Sequence, residues 1–107
     1  MARTMIKAPA TAKRGEPIDI RTLIQHPMET GQRPGADGKI LSQNILRRFR
    51  CVYAGELVFS AQLYPAIAAN PYLQFSTLAT VSGNISLSWE GDQGFSQTET
   101  ISIIVTD

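Results

Sequence analysis

From its fourth residue almost to its last, this chain alternates with a period of two. Ile18, Ile20, Thr22 and Ile24 alternate with Asp19, Arg21, Leu23 and Gln25. Phe49, Cys51 and Tyr53 alternate with Arg48, Arg50 and Val52. The same rhythm sets Leu57, Phe59, Ala61 and Leu63 against Val58, Ser60 and Gln62, and Ile85, Leu87 and Trp89 against Ser86, Ser88 and Glu90. It returns in Ile101, Ile103 and Val105. Successive side chains of a strand point to opposite faces, so each run describes a strand with one buried side. No segment sustains a helical stripe, and β-branched and aromatic residues are plentiful. Ala54-Gly55-Glu56, Ser82-Gly83-Asn84 and Gly91-Asp92-Gln93-Gly94 are turn chemistry between runs. With further strands at Thr4 to Ala8 and Leu73 to Ala79, the spacing predicts an all-β, immunoglobulin-like antiparallel β-sandwich of about seven strands, with Trp89 in its core. A small barrel is the structural alternative.

The chain has 107 residues, enough for one domain spanning 1–107 with a core that needs neither metal nor disulfide. Its only cysteine, Cys51, cannot form an internal disulfide, so the sandwich is expected to hold by packing alone. Net charge is +1, which gives no electrostatic case for nucleic acid or an anionic membrane surface. No stretch approaches the length of a membrane helix, and the segment Met1 to Lys7 lacks a secretory apolar core. Those features alone predict a soluble, cytoplasmic protein.

Two segments break the alternation. His26-Pro27-Met28-Glu29-Thr30-Gly31 closes a strand and leads into a long turn-rich loop, Gln32 to Gln43. Loops of that length in small domains are usually functional or disordered. The portion Gly31 to Lys39 does not match phosphate-cradling spacing and reads as a mobile surface excursion that orders against a partner. The second segment is the longer connection Pro65 to Pro71, where Pro71 biases Asn70 toward extended or turn geometry.

The chemistry available is thin. A blue-copper site needs two histidines and a cysteine, and a catalytic zinc site needs three protein ligands; His26 is the only histidine. It is also the only imidazole base for a Ser or Cys nucleophile, and no nucleophile elbow occurs. Glu29, Asp37, Glu90, Asp92 and Glu99 are scattered, with nothing to pair any two. Cys51 lies mid-strand on the face of Phe49 and Tyr53 and reads as a core residue, the alternative being a thiol redox or transfer group. Arg47, Arg48 and Arg50 read as a solvated strand face that guards against edge pairing, with an acidic partner as the sharper alternative. The expectation is no catalytic residue, no cofactor and no metal.

The order of His26-Pro27-Met28-Glu29-Thr30-Gly31, Ala36-Asp37-Gly38-Lys39, Asn44-Ile45, Pro65 to Tyr72 and Trp89-Glu90-Gly91-Asp92-Gln93-Gly94, with Lys13-Arg14-Gly15-Glu16 before them, resembles the SoxZ family. The resemblance runs over essentially the whole chain. It implies an immunoglobulin-like sandwich that forms a heterodimer with SoxY, as the non-catalytic subunit of a carrier complex in thiosulfate oxidation. In that family SoxY holds the sulfur intermediate on a cysteine in a Gly-rich arm near its C-terminus. This chain ends Ile103-Ile104-Val105-Thr106-Asp107, without such an arm, so Cys51 is not given the carrier role. The resemblance also implies a periplasmic location reached without its own signal peptide, by export with a SoxY-like partner, and transient docking with other Sox enzymes.

Aromatic and Met residues near turns make the best interface anchors. The expected partner interface therefore centres on Met28, Pro71 and Tyr72, with His26, Glu29 and Asn70 as polar neighbours. A free-standing binding or adhesion sandwich is the remaining class.

Overall fold

The structure, a computed structural model, describes residues 2–107. Its eight strands are β1 (Thr4–Lys7), β2 (Thr11–Lys13), β3 (Pro17–Ile24), β4 (Leu46–Tyr53), β5 (Glu56–Gln62), β6 (Tyr72–Leu78), β7 (Gly83–Gly91) and β8 (Ser96–Thr106). They form a small sheet ordered β1-β3-β6 and a large sheet ordered β2-β8-β7-β4-β5. This is the expected immunoglobulin-like sandwich, with two differences. There are eight strands, because the three-residue β2 follows β1 after a short turn. And β2 runs parallel to β8, Ala12 opposite Val105, while the pairings from β3 onward are antiparallel.

The alternation of the sequence becomes the core. Ile18, Ile20, Thr22 and Ile24 of β3 face Phe49, Cys51, Ile85, Leu87, Trp89 and Ile103 of the large sheet, all buried. Phe49 lies at the centre, 5.2 Å from Trp89 and 5.7 Å from Phe75 between ring centroids. Phe59 of β5 and Phe75 of β6 stack at 4.3 Å, joining the two sheets along one side. Burying each of these large side chains contributes about 1.5–3 kcal/mol, which substitutes for the missing disulfide.

Turns follow the residue types that supply them. Ala54 and Gly55 both have positive φ (50° and 83°), the mark of the two-residue hairpin whose twist matches its strands. Gly91 opposes Leu46 where β4 and β7 meet, and a Cβ there would fall 2.6 Å from the Ile45 carbonyl oxygen. At the opposite end of the sandwich, Tyr53 hydroxyl accepts the N–H groups of Thr80 and Val81, both at 3.1 Å, and donates to the Val81 carbonyl.

The excursion Gln32 to Gln43 is a narrow ribbon with its own backbone bonds. Glu29 and Asn44 exchange N–H···O bonds of 2.8 and 2.7 Å at its base. Leu41 N–H bonds Arg33 O and Gly35 N–H bonds Lys39 O further out, and Asp37 caps the tip by accepting the Lys39 N–H. These bonds lie within the chain, so the backbone pairing of the ribbon draws on no partner. The molecule is elongated, 60 × 20 × 18 Å. Its radius of gyration of 16.2 Å exceeds the ~13 Å of a compact domain of this length.

Candidate partner-docking site

The segment singled out by its unusual residues forms a buried hub at the base of the ribbon. After Ile24 the chain leaves β3, and Asn70 grips it there. The Asn70 side-chain oxygen accepts the His26 N–H at 2.9 Å, and the Asn70 N–H donates to the His26 carbonyl at 2.8 Å. Asn70 has φ 56°, which asparagine tolerates better than most residues. Pro71 behind it is buried.

The His26 ring is buried edge-on against Phe95, 5.3 Å between ring centroids. Its Nδ1 accepts the Met28 N–H at 3.1 Å, which places the proton of the neutral ring on Nε2. Nε2 is buried without a hydrogen-bond partner. The Asn44 side chain and the Asp92 carboxylate lie near enough to favour the charged ring, but burial outweighs them and holds the His26 pKa below its ordinary value. Met28 turns the chain with φ 48° and points its sulfur inward, where Sδ accepts the Leu46 N–H at 3.2 Å. One histidine and one methionine thereby satisfy backbone groups that a ribbon leaving a sheet would otherwise strand.

Two ion pairs brace the hub. Asp92 accepts the Ile45 N–H and takes a forked contact from Arg47 at 2.6 and 3.3 Å. The Arg47 guanidinium and that N–H hold the Asp92 carboxyl below the usual carboxylate range. Glu29 pairs with Arg33 at 2.6 Å, and this contact lowers its pKa likewise. Arg47 is the extra residue where the β4–β7 register shifts, so it leaves the alternation and reaches Asp92. Arg50 pairs with Glu90 at 3.1 Å. The basic cluster is therefore largely neutralised within the chain.

The six residues expected at an interface thus divide. Met28 and Pro71, expected as anchors, and His26, expected as a polar neighbour, are buried within this chain and fix the shape of the sandwich end. The reason is local: each satisfies or shields backbone where strand pairing stops. Glu29 is half-buried in its ion pair, and Asn70 is exposed while its amide oxygen serves His26. Tyr72 alone presents a large apolar surface, 54% exposed. Sequence reasoning missed its neighbours. Leu23 pairs with both Met5 and Tyr72, so the three form one row across the outer face of the small sheet. The available signal was Leu23, an apolar residue in the outward phase of β3.

Cys51 is fully buried among Phe49, Phe59 and Leu87, and burial pushes its thiol up to about 11. Thiolate chemistry at neutral pH requires the opposite. Among the described residues no three His, Cys, Asp or Glu side chains converge as metal ligands.

Solved structures share this fold at low identity. Neelaredoxin, a superoxide reductase from Ignicoccus hospitalis, is 15% identical with a TM-score of 0.72, over 98% of this chain and 82% of that one. The sulfur carrier protein SoxY from Chlorobium limicola f thiosulfatophilum is 15% identical with a TM-score of 0.67, over 97% of this chain and 79% of that one. A superoxide reductase candidate from Thermotoga maritima is 14% identical with a TM-score of 0.67, over 97% and 86%. At such identities the likeness is one of fold. Curated proteins give no significant match. The sequence itself matches the family described as sulphur oxidation protein SoxZ over residues 6–102, nearly its full length and including the hub, the ribbon, Leu23 and Tyr72. The chain belongs to the SoxZ family of sulphur oxidation proteins.

Proposed function

We propose that this chain is the non-catalytic partner subunit of a SoxYZ-type carrier complex. In this reading it binds a SoxY-like chain one to one, while that chain holds the sulfur intermediate on its own cysteine. The observation that carries the reading is the family match over residues 6–102. The interior supports it: the only thiol is sealed in the core, and the only imidazole is occupied with the backbone of a loop. What the chain offers outward is shape and surface, which suits a subunit that supports a partner and is touched in passing by the enzymes acting on it. The same reading assigns a periplasmic location, reached by export together with a SoxY-like partner.

Co-expression with a SoxY-like chain from the same source tests this. A stable one-to-one complex by light scattering is the expected result. A chain that stays monomeric beside a folded SoxY-like protein would overturn it. Fractionation of the source cells would test the location, with the chain expected among periplasmic proteins only when the partner is expressed.

A further inference from the structure

The two outer faces of the sandwich differ in kind. On the large sheet the outward residues are mostly Ser86, Ser88, Thr98, Thr100 and Ser102, and its exposed apolar residues, Leu57 on β5 and Ile104 on β8, stand apart with β4 and β7 between them. On the small sheet, the outward phase carries Met5, Leu23 and Tyr72 in one row that crosses all three strands. Met5 is 63% and Tyr72 54% exposed. Single exposed apolar residues need no explanation, but a contiguous row does. A depression of about 210 Å³ opens here between Met5, Leu23 and Tyr72 on one side and Lys7 and Arg21 on the other.

The charges around the row are lopsided. Lys7 and Arg21 face each other in the next row, and exposed Arg3 lies two residues before Met5. Asp19, paired with Arg21 at 3.1 Å, is the one carboxylate on this face among the described residues. A second copy of the chain laid on this face by two-fold symmetry would set cations against cations. A surface with an apolar centre and an acidic rim is the complement.

We infer that the outer face of β1-β3-β6 is the docking surface for the SoxY-like partner, met by an apolar patch with acidic residues around it; this rests on the proposed function above. Met5, Leu23 and Tyr72 supply the desolvated centre, and Arg3, Lys7 and Arg21 the steering rim. The hub residues then act indirectly. Asn70 and Pro71 fix the entry to β6 and so the position of Tyr72 in the row.

Binding of the purified chain to the SoxY-like protein, followed by titration calorimetry, tests the inference. The double variant Met5→Asp/Tyr72→Asp should weaken binding by at least about tenfold, as loss of central anchors does. Thr100→Asp on the large sheet should stay within about twofold of the parent. Lys7→Glu should weaken binding by about threefold or more, and raising salt from about 0.05 to 0.5 M should erase most of that difference. If the parent binds and the double variant and Lys7→Glu bind equally well, the inference falls and the proposed function stands. A loss produced by Thr100→Asp instead would move the interface to the large sheet and equally overturn it. A parent that self-associates through this face would give the surface to a second copy and overturn it. A parent that binds no SoxY-like protein sinks both readings. Should the double variant unfold, Lys7→Glu carries the decision, since its side chain is exposed and makes no ion pair.

Discussion

Tyr53 shows how much one polar atom can hold. Its ring belongs to the core, but its hydroxyl gathers the Thr80 and Val81 N–H groups and the Val81 carbonyl at the β6–β7 connection. Tyr53→Phe keeps the apolar contacts and strands those groups, so a loss of about 1–3 kcal/mol is expected in urea denaturation. An unchanged midpoint would mean that water replaces the hydroxyl at no cost. His26 gives a pH-dependent counterpart. Burial keeps its folded pKa below the ordinary value near 6.5, so the native state prefers the neutral ring. Above that value both folded and unfolded chains are neutral there, and stability is at its full level. Below it the unfolded chain takes up a proton that the folded chain resists, so stability falls as pH drops from about 6.5 toward the folded pKa. Glu29 and Asp92, also lowered, act in the more acidic carboxylate range and leave this window to His26. His26→Asn retains an acceptor for the Met28 N–H and removes the titration. Melting curves between about pH 7.5 and 5.5 should slope less for the variant than for the parent, and equal slopes would refute this account of His26.

Elements differ in how far the sequence announces them. The long strands β3, β4, β7 and β8 were legible because each keeps one face buried for most of its length, so period two survives in the residue types. β2 was not, because three residues carry no period and its pairing with β8 is parallel and remote in sequence. The ribbon was hidden for another reason: backbone bonds such as Gly35 to Lys39 hold it, and these leave no mark on side-chain type. His26 and Met28 stood out as unusual, and the period of β3 carried on past Gln25 and Pro27 puts both of them inward, as the structure has them. The row beside Tyr72 needed register, since Met5 meets Leu23 only once β1 and β3 are aligned. Gly91 belongs to this scale as well. It sits where β7 passes the ribbon base, and a Cβ would press on Ile45 O and Leu46 Cα at 2.6 and 3.0 Å. Both are backbone atoms that cannot rotate away. Gly91→Ala should therefore cost about 1–3 kcal/mol by forcing β4 and β7 apart. The check is equilibrium unfolding, with stability equal to the parent excluding the close approach.

For the whole molecule, a sandwich whose single cysteine is sealed in the core is held by packing, hydrogen bonds and ion pairs without a disulfide. Reductant should leave its melting temperature unchanged, because no covalent cross-link exists to be lost. A partner acts differently. Any ligand that binds the native state alone stabilises it by mass action, by about 2.7 kcal/mol at a hundredfold excess over Kd. For a domain of about this length each kcal/mol moves the midpoint by about 4–8 °C. A SoxY-like chain present at that excess should thus raise the melting temperature by about 10 °C or more. The same experiment on Met5→Asp/Tyr72→Asp separates the two faces of the sandwich. Those side chains are exposed, so the variant alone should melt close to the parent, while its gain from the partner should shrink by about 1.4 kcal/mol for each tenfold loss of affinity. A parent whose midpoint ignores the partner would show that the cation-rimmed row is left to solvent. A variant that melts early by itself would show that the row serves the sandwich before any partner arrives.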